Sequence, residues 1–287
     1  MASGRRSKPP AAPTRRAAAE PVDPAPPGPA LVTGASSGIG EAFARALGAR
    51  GQPLVLVARR RERLEKLGAE RRARHGVAVE LVCADLSKPL GVDDVTRAVE
   101  ARGLEIELLV NNAGFGSYGA FAQLPLGREL EMIDLDVRAL VALTGHYLPR
   151  MIERGRGAIV QIASTTSFQP VPYMAVYSAA KAFVLHFSEA VARECVSTGV
   201  RVLAVCPGHT PTEFQRVSGA DRRPTRTSSQ SADEVVREAL AALERKDNWR
   251  DVVVTGLPNK LTTQAPRLLP RRTLARLIER AFRPSKA

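Results

Sequence analysis

Acidic residues are scarce in this chain. It has 29 Asp and Glu against 42 Lys and Arg among 287 residues, for a net charge of +13. Cysteine is scarcer still. Cys83, Cys195 and Cys206 are widely spaced and odd in number, which excludes a disulfide framework or a cysteine metal motif and makes a reducing cytoplasm the expected setting. The four histidines (His75, His146, His186 and His209) show no metal-ligand spacing, so no metal is expected. His186 lies nine residues after Tyr177 and faces away from it on a helix. No apolar run approaches the ~18 residues needed to span a bilayer. A Gly-x-Ser-x-Gly elbow is also missing, so serine hydrolase chemistry is not expected.

The positive charge that is present collects at the ends. Residues 1–29 hold five Lys/Arg against two acids, and residues 260–287 hold eight against one. Residues 1–29 are otherwise Pro and Ala with almost nothing large and apolar, so a disordered tail is expected. They contain no hydrophobic stretch of the secretory kind. Charge confined to tails, with no recognised nucleic-acid module, argues against nucleic-acid binding. Residues 257–287 form a basic extension in which Leu274, Leu277, Ile278, Ala281 and Phe282 recur at helical spacing, with Arg271, Arg272, Arg276 and Arg280 on other faces. Such a helix can dock on the body over the substrate mouth, join subunits, or make peripheral contact with an anionic membrane. Docking is the expected outcome.

Between the ends, short apolar runs alternate with helical stretches. Strands are expected at 30–33, 54–58, 79–83, 108–110, 158–163, 200–205 and 252–254. Helices are expected at 39–50, 61–75, 93–102, 128–154, 174–197 and 232–245. This is the pattern of an α/β protein, a single Rossmann-type doubly wound domain over 30–256 with a seven-stranded, mostly parallel sheet and helices on both faces. Residues 210–231, rich in Thr, Ser, Arg and Pro, interrupt the rhythm just after the sixth strand. They read as a substrate lid, or as a surface insertion.

The first strand runs into Gly34-Ala35-Ser36-Ser37-Gly38-Ile39-Gly40 and then a helix. Glycines there let the backbone approach a pyrophosphate, and the helix N-terminus offers free N–H groups. The second strand ends at Ala58-Arg59-Arg60. An arginine at this point suits a 2′-phosphate, and Arg59, the earlier of the two, is the expected contact, pointing to NADP(H) rather than NAD(H). The arginines can also simply open a charged helix. Asp85 in Asp85-Leu86 can accept from an adenine amino group, or serve as a turn residue. Asn112-Ala113-Gly114 forms another small-residue turn after the fourth strand.

Tyr177 and Lys181 stand four residues apart, with Ser164 thirteen residues upstream of the tyrosine. On a helix, the phenol and the ammonium share a face. The cation is expected to lower the phenol's pKa into a range useful for proton transfer. Ser164 can steady a carbonyl oxygen that gains charge. Phe168 and Tyr173 lie in the segment joining Ser164 to Tyr177. They can form an apolar substrate wall, or ordinary loop packing.

Taken together, the motifs at 33–40, Asp85-Leu86, 111–114, Ser164, Tyr177-x-x-x-Lys181 and Pro207-Gly208 resemble the short-chain dehydrogenase/reductase family over about residues 30–255. Ala58–Leu64 and Phe168–Pro170 further resemble a bacterial group of NADP-preferring reductases. The resemblance implies an oxidoreductase passing hydride between NADPH and a carbonyl or alcohol, on an apolar substrate. Tyr177 would be the acid/base, Lys181 would hold the nicotinamide ribose, and Ser164 would polarise the carbonyl. Pro207, Gly208 and Thr212 would line the nicotinamide and diphosphate. A homodimer or homotetramer is implied as well. One position departs from the family: Asp136 stands where an asparagine of the proton relay is usual. Buried beside Lys181, it would pair with the ammonium and weaken its hold on Tyr177. The alternative to an enzyme is therefore a catalytically impaired NADP-binding regulatory protein.

Overall fold

The computed structural model describes residues 28–222, 229–245, 250–267 and 269–284. The tail expected at 1–29 lies, up to residue 27, outside the described residues, as do 223–228 of the expected lid.

Strands β1 (Ala30–Thr33), β2 (Leu54–Ala58), β3 (Val79–Cys83), β4 (Leu108–Asn111), β5 (Gly157–Ile162), β6 (Val200–Cys206) and β7 (Val252–Val254) form one sheet in the order β3-β2-β1-β4-β5-β6-β7. Every pairing is parallel. The register at the centre sets Ala30 beside both Leu54 and Leu108. Helices α1 (Gly38–Ala49), α2 (Arg61–His75) and α8 (Ala232–Leu243) cover one face; α3 (Gly91–Glu100), α5 (Leu140–Glu153) and α6 (Ala175–Glu194) cover the other.

The period-two alternation of the strands sorts the core. Ala30, Val32, Leu54, Leu56 and Val110 pack against Phe43, Leu47 and Leu64, whereas Leu31, Val55, Val57 and Leu109 pack against Val95, Leu143 and Met151. With both faces buried, the strands are apolar at nearly every position, as a parallel sheet requires. Each fully buried Leu, Ile or Phe contributes about 1.5–3 kcal/mol relative to exposure.

The strand order reverses between β1 and β4. The turns leaving these two strands diverge to opposite faces and open a crevice at the carboxyl edge of the sheet. The single helix expected at 128–154 is instead α4 (Leu126–Ile133), a π-helical stretch at Asp134–Ala139, and α5, read in continuous succession. A π turn carries one extra residue and rotates the side chains that follow it, a distortion found mostly at functional sites. Here it falls on Asp136. Beyond β6 stand α7 (Glu213–Ser218) and, past β7, α9 (Leu257–Thr262) and α10 (Arg271–Phe282). Among the described residues, no helix is long and apolar enough to cross a membrane.

Candidate active site

A cleft of about 600 Å³ lies over the crevice. Its floor is the glycine turn. Gly34 and Gly38 have φ of +66° and +58°, values that L side chains rarely adopt. A Cβ on Gly40 would lie 2.4 Å from Asn112 Nδ2 and 2.5 Å from Gly34 O, so Gly40 sits beneath the turn and supports it without lining the cleft. Asn112 pins this floor: its Nδ2 donates to Thr33 O at 2.9 Å, while Thr33 Oγ1 accepts from the N–H groups of Asn112 and Ala113 at 2.9 and 3.0 Å. Gly34, Ser36, Ser37, Gly38, Ile39, Asn112, Ala113 and Gly114 all line the cleft.

At the far end of the crevice, Arg59 and Arg60 point different ways. Arg59 turns toward Asp85 and Glu131, at 3.7 and 3.9 Å. Arg60 donates to Ser36 Oγ at 2.9 Å and to Ser37 Oγ at 2.9 Å. Both line the cleft, but Arg60, not the expected Arg59, is bonded to the glycine turn. Strand alternation explains this. Ala58 packs on the α1 face, so the residue two positions on returns to that face and the one between does not. Asp85 accepts from Ser87 N at 3.1 Å and Ser87 Oγ at 2.7 Å, closing a local turn while facing the cleft beside Leu86. Burial would raise its carboxyl, but the Ser87 bonds and Arg59 carry it below the ordinary range.

Ser164, Tyr177 and Lys181 converge on the middle of the cleft. Ser164 caps a short 3-10 turn after β5, accepting from Thr166 N at 3.1 Å, and its hydroxyl favours the charged form of the Tyr177 phenol. Ser167 Oγ, in the same turn, donates to Lys181 O at 2.8 Å and so fixes this turn against α6. Lys181 Nζ donates to Ile162 O at 3.0 Å and lies 3.0 Å from Asp136 Oδ2. Asp136 Oδ1 accepts from Phe115 N at 3.1 Å. A Cβ on Gly114 would stand 2.9 Å from Asp136 Oδ2, so a glycine is needed for Asp136 to reach this position.

The electrostatics differ from the sequence expectation. Burial pushes the Tyr177 phenol above its ordinary value. Lys181 opposes the rise, and the Asp136 carboxylate adds to it. A lowered phenol pKa was expected because an ammonium stands nearby, but burial outweighs that ammonium, and Asp136 opposes it further. Burial would lower Lys181, yet Asp136 and Tyr177 carry it upward. For Asp136 burial dominates and raises the carboxyl against the pull of Lys181 and the Phe115 N–H.

Apolar side chains line part of the remaining wall. Phe115, Met174, Phe214 and Val217 line the cleft, and the Tyr177 and Phe214 rings stand 5.2 Å apart. Phe214 and Val217 belong to α7, whose N-cap Thr212 lines the cleft with Pro207 and Gly208. Residues 210–222 thus flank the opening, and Gln230 N donates to His209 O at 3.0 Å, drawing the two ends of the 210–231 segment together. Helix α10 closes another side. Its Ile278 and Phe282 pack on the cluster around Phe115, Met132 and Tyr177, its Leu274 is buried, and Phe282 O accepts from Tyr118 OH at 2.7 Å. Leu277, counted in the expected apolar stripe, stays exposed. Phe168 and Tyr173 do not line the cleft and are corrected as substrate residues. Phe168 packs into the core beside Leu140 and Val184, and Tyr173, at φ 66°, stands close enough to Arg283 to raise its guanidinium pKa. Phe115, Phe214 and Phe282, distant from Ser164 in sequence, take that place. Among the described residues no acidic, cysteine or histidine cluster could hold a metal.

Comparisons with known proteins agree with this geometry. Residues 29–223 match the family model for short chain dehydrogenase. The chain is 36% identical over 193 residues to a very-long-chain 3-oxoacyl-CoA reductase of Anas platyrhynchos, a match covering 66% of this chain and 62% of that enzyme. A short-chain dehydrogenase from Sphingobium yanoikuyae in complex with NADPH superposes with TM-score 0.73 at 36% identity, covering 91% of this chain and 98% of the other. A 7beta-hydroxysteroid dehydrogenase superposes with TM-score 0.78 at 29% identity, covering 88% and 96%. With a seven-stranded parallel sheet and a family model matched over residues 29–223, the chain is an oxidoreductase that belongs to the short-chain dehydrogenase family.

Proposed function

We propose that the protein is an NADP(H)-dependent reductase of bulky, apolar ketones or aldehydes, able to run in reverse as an alcohol dehydrogenase. The observation that carries this reading is the meeting of Ser164, Tyr177 and Lys181 in a cleft walled by Phe115, Met174, Phe214 and Phe282.

The residues present fit a dinucleotide with a 2′-phosphate. The glycine turn is a cradle in which added side chains would clash with Asn112 and Gly34. Arg60, held on Ser36 and Ser37, offers a planar fork of the kind that pairs with phosphate. Ser36, Ser37, Gly38 and Ile39 would hold the diphosphate, Asp85 and Leu86 the adenine, and Pro207, Gly208 and Thr212 the nicotinamide half. When bound, the nicotinamide supplies or accepts the hydride. The NADPH complex of the Sphingobium relative supports the same choice.

Ser164 donates a hydrogen bond to the carbonyl oxygen as that oxygen gains charge. Tyr177 gives it the proton, and in the oxidative direction takes one. Lys181, fixed by Ile162 O and Asp136, keeps a positive charge under the phenol and supports its anion. Asp136 orients that ammonium and moderates its field. The relatives that reduce very-long-chain 3-oxoacyl-CoA or are named for a 7beta-hydroxysteroid support a large apolar substrate.

Phe183, exposed on α6 and stacked on Phe187 at 5.8 Å, supports assembly as a homodimer or homotetramer. Three free thiols support a reducing cytoplasm. The docked apolar side of α10 supports a role as a wall of the cleft rather than a membrane contact.

The test is NADPH oxidation against carbonyls graded from small aldehydes to sterol ketones and long acyl thioesters. Catalytic efficiency is expected to climb with apolar bulk. Tight NADPH binding with no reduction across the panel would overturn the enzymatic reading.

A further inference from the structure

The link between α7 and the nucleotide end of the cleft is a single carboxylate. Glu213 Oε2 accepts from Arg60 Nη1 at 2.7 Å and from Arg63 Nη1 at 2.8 Å. Its other oxygen, Oε1, accepts from Arg63 Nη2 at 3.0 Å and from Arg216 Nη2 at 3.2 Å. Arg60 at the same time donates to the hydroxyls of Ser36 and Ser37. Hydrogen bonds from Arg63 and Arg60 draw the Glu213 carboxyl down to about 2, so it is ionised throughout the working range of pH.

This arrangement has the chemistry of an anion site. Forked guanidinium donors beside serine hydroxyls and the N-terminus of α1 suit a phosphate group. Glu213 is the anion the protein itself places there. A carboxylate brings one charge and two acceptor oxygens, whereas a phosphate monoester brings nearly two charges and three oxygens. The two anions repel one another, and Arg60 cannot turn the same Nη1 fully to both. The contact also has a mechanical consequence. Arg60 caps α2, and Glu213 opens α7, the helix that presents Phe214 and Val217 to the substrate end of the cleft. Arg63 on α2 and Arg216 on α7 also hold Glu213, so it keeps two cationic partners if it leaves Arg60.

We propose that Glu213 is a built-in competitor for the 2′-phosphate of NADP(H), so that arrival of the phosphate at Arg60 displaces Glu213 from that arginine and loosens the joint between α7 and α2, which Arg63 alone then holds. This rests on the NADP(H) reading above. Glu213 is a positioning residue: it sets cofactor affinity and the attachment of α7 without touching the reacting atoms. The cofactor's phosphate end thereby reports its presence to the wall of the substrate mouth.

The experiment compares the wild-type protein with Glu213→Gln by calorimetric titration with NADP+, NAD+ and adenosine 2′,5′-bisphosphate, and follows amide hydrogen exchange across residues 213–218. Removing the competing charge is expected to tighten NADP+ and the bisphosphate by about tenfold, the worth of one charge-assisted contact, and to leave NAD+ unchanged. In the wild type, the bisphosphate is expected to speed exchange in α7, while adenosine 5′-diphosphate does not. Weaker NADP+ binding by Glu213→Gln, or equal changes for NADP+ and NAD+, overturns the competitor role. So does an α7 that gains protection with the bisphosphate. If the wild type binds NAD+ better than NADP+, the cofactor reading itself fails and the competitor role falls with it.

Discussion

Lys181 Nζ and Asp136 Oδ2 meet at 3.0 Å with both side chains withdrawn from solvent. Two charges removed from water are costly singly and tolerable together. The pair consequently fixes the ammonium in place, and it also spends on Asp136 part of the field that would otherwise favour a Tyr177 phenolate.

Asp136→Asn removes one of the causes that raise the Tyr177 phenol. Its pKa should fall, so the rising limb of the pH profile for alcohol oxidation should move to lower pH. Steady-state rates measured across pH for both proteins check this. An unchanged profile would mean that Asp136 is not electrically coupled to the phenol. Asp136→Leu leaves the ammonium buried and alone, with an expected loss of about 3–5 kcal/mol of stability by denaturant titration.

Tyr177→Phe keeps the ring packed against Phe214 and deletes only the proton-bearing oxygen. Turnover should drop by about 10²–10⁴-fold, with NADPH binding retained by fluorescence titration. Ser164→Ala should also lower turnover, by about 10²-fold or more where its hydroxyl is the principal donor to the carbonyl oxygen.

Arg60→Ala should weaken NADPH on the order of 10–100-fold, the range for losing hydrogen bonds to a charged group. Arg59→Ala should cost less, because Arg59 is turned toward Asp85 and Glu131. Equilibrium titration with NADPH and NADH separates the two arginines. A larger effect at Arg59 would restore the assignment read from strand order alone.

Gly40→Ala places a methyl group on Asn112 and on the backbone of Gly34. Overpacking of this kind costs about 1–3 kcal/mol. Loss of nucleotide binding should accompany the lowered unfolding midpoint, since the displaced atoms belong to the cradle.

Phe282→Ala opens one wall of the cleft. The ratio of kcat/KM for a bulky apolar ketone over a small aldehyde should fall by about tenfold or more. An unchanged ratio would place the substrate elsewhere in the cleft.

Much of the fold was legible because a parallel sheet is buried on both faces, and its strands therefore stand out as short apolar runs. The glycine turn, Ser164, Tyr177 and Lys181 were legible for a similar reason: each is tied to neighbours close in sequence. The π stretch at Asp134–Ala139 was not, because one extra residue in a helical turn leaves no periodic mark in so short a segment. The bond from Arg60 to the glycine turn was legible only in the alternation past Ala58, while Arg59 faces the cleft beside Asp85. Phe168 and Tyr173 misled because closeness to Ser164 along the chain was taken for closeness in space. Phe115, Phe214 and Phe282, which do line the cleft, lie far apart in sequence, and only tertiary packing brings them together.

The hydrogen bond from Tyr118 OH to Phe282 O joins positions 164 residues apart. A contact of that span closes a long loop, whose entropy must be offset by the packing of α10 on the body. Ser164, Tyr177 and Lys181 fall within a far shorter stretch, whereas one wall of the cleft comes from α10 near the other end of the described chain. Mutations in α10 can retune what is accepted while the proton-transfer machinery is left intact, which gives this scaffold an easy route to new substrates.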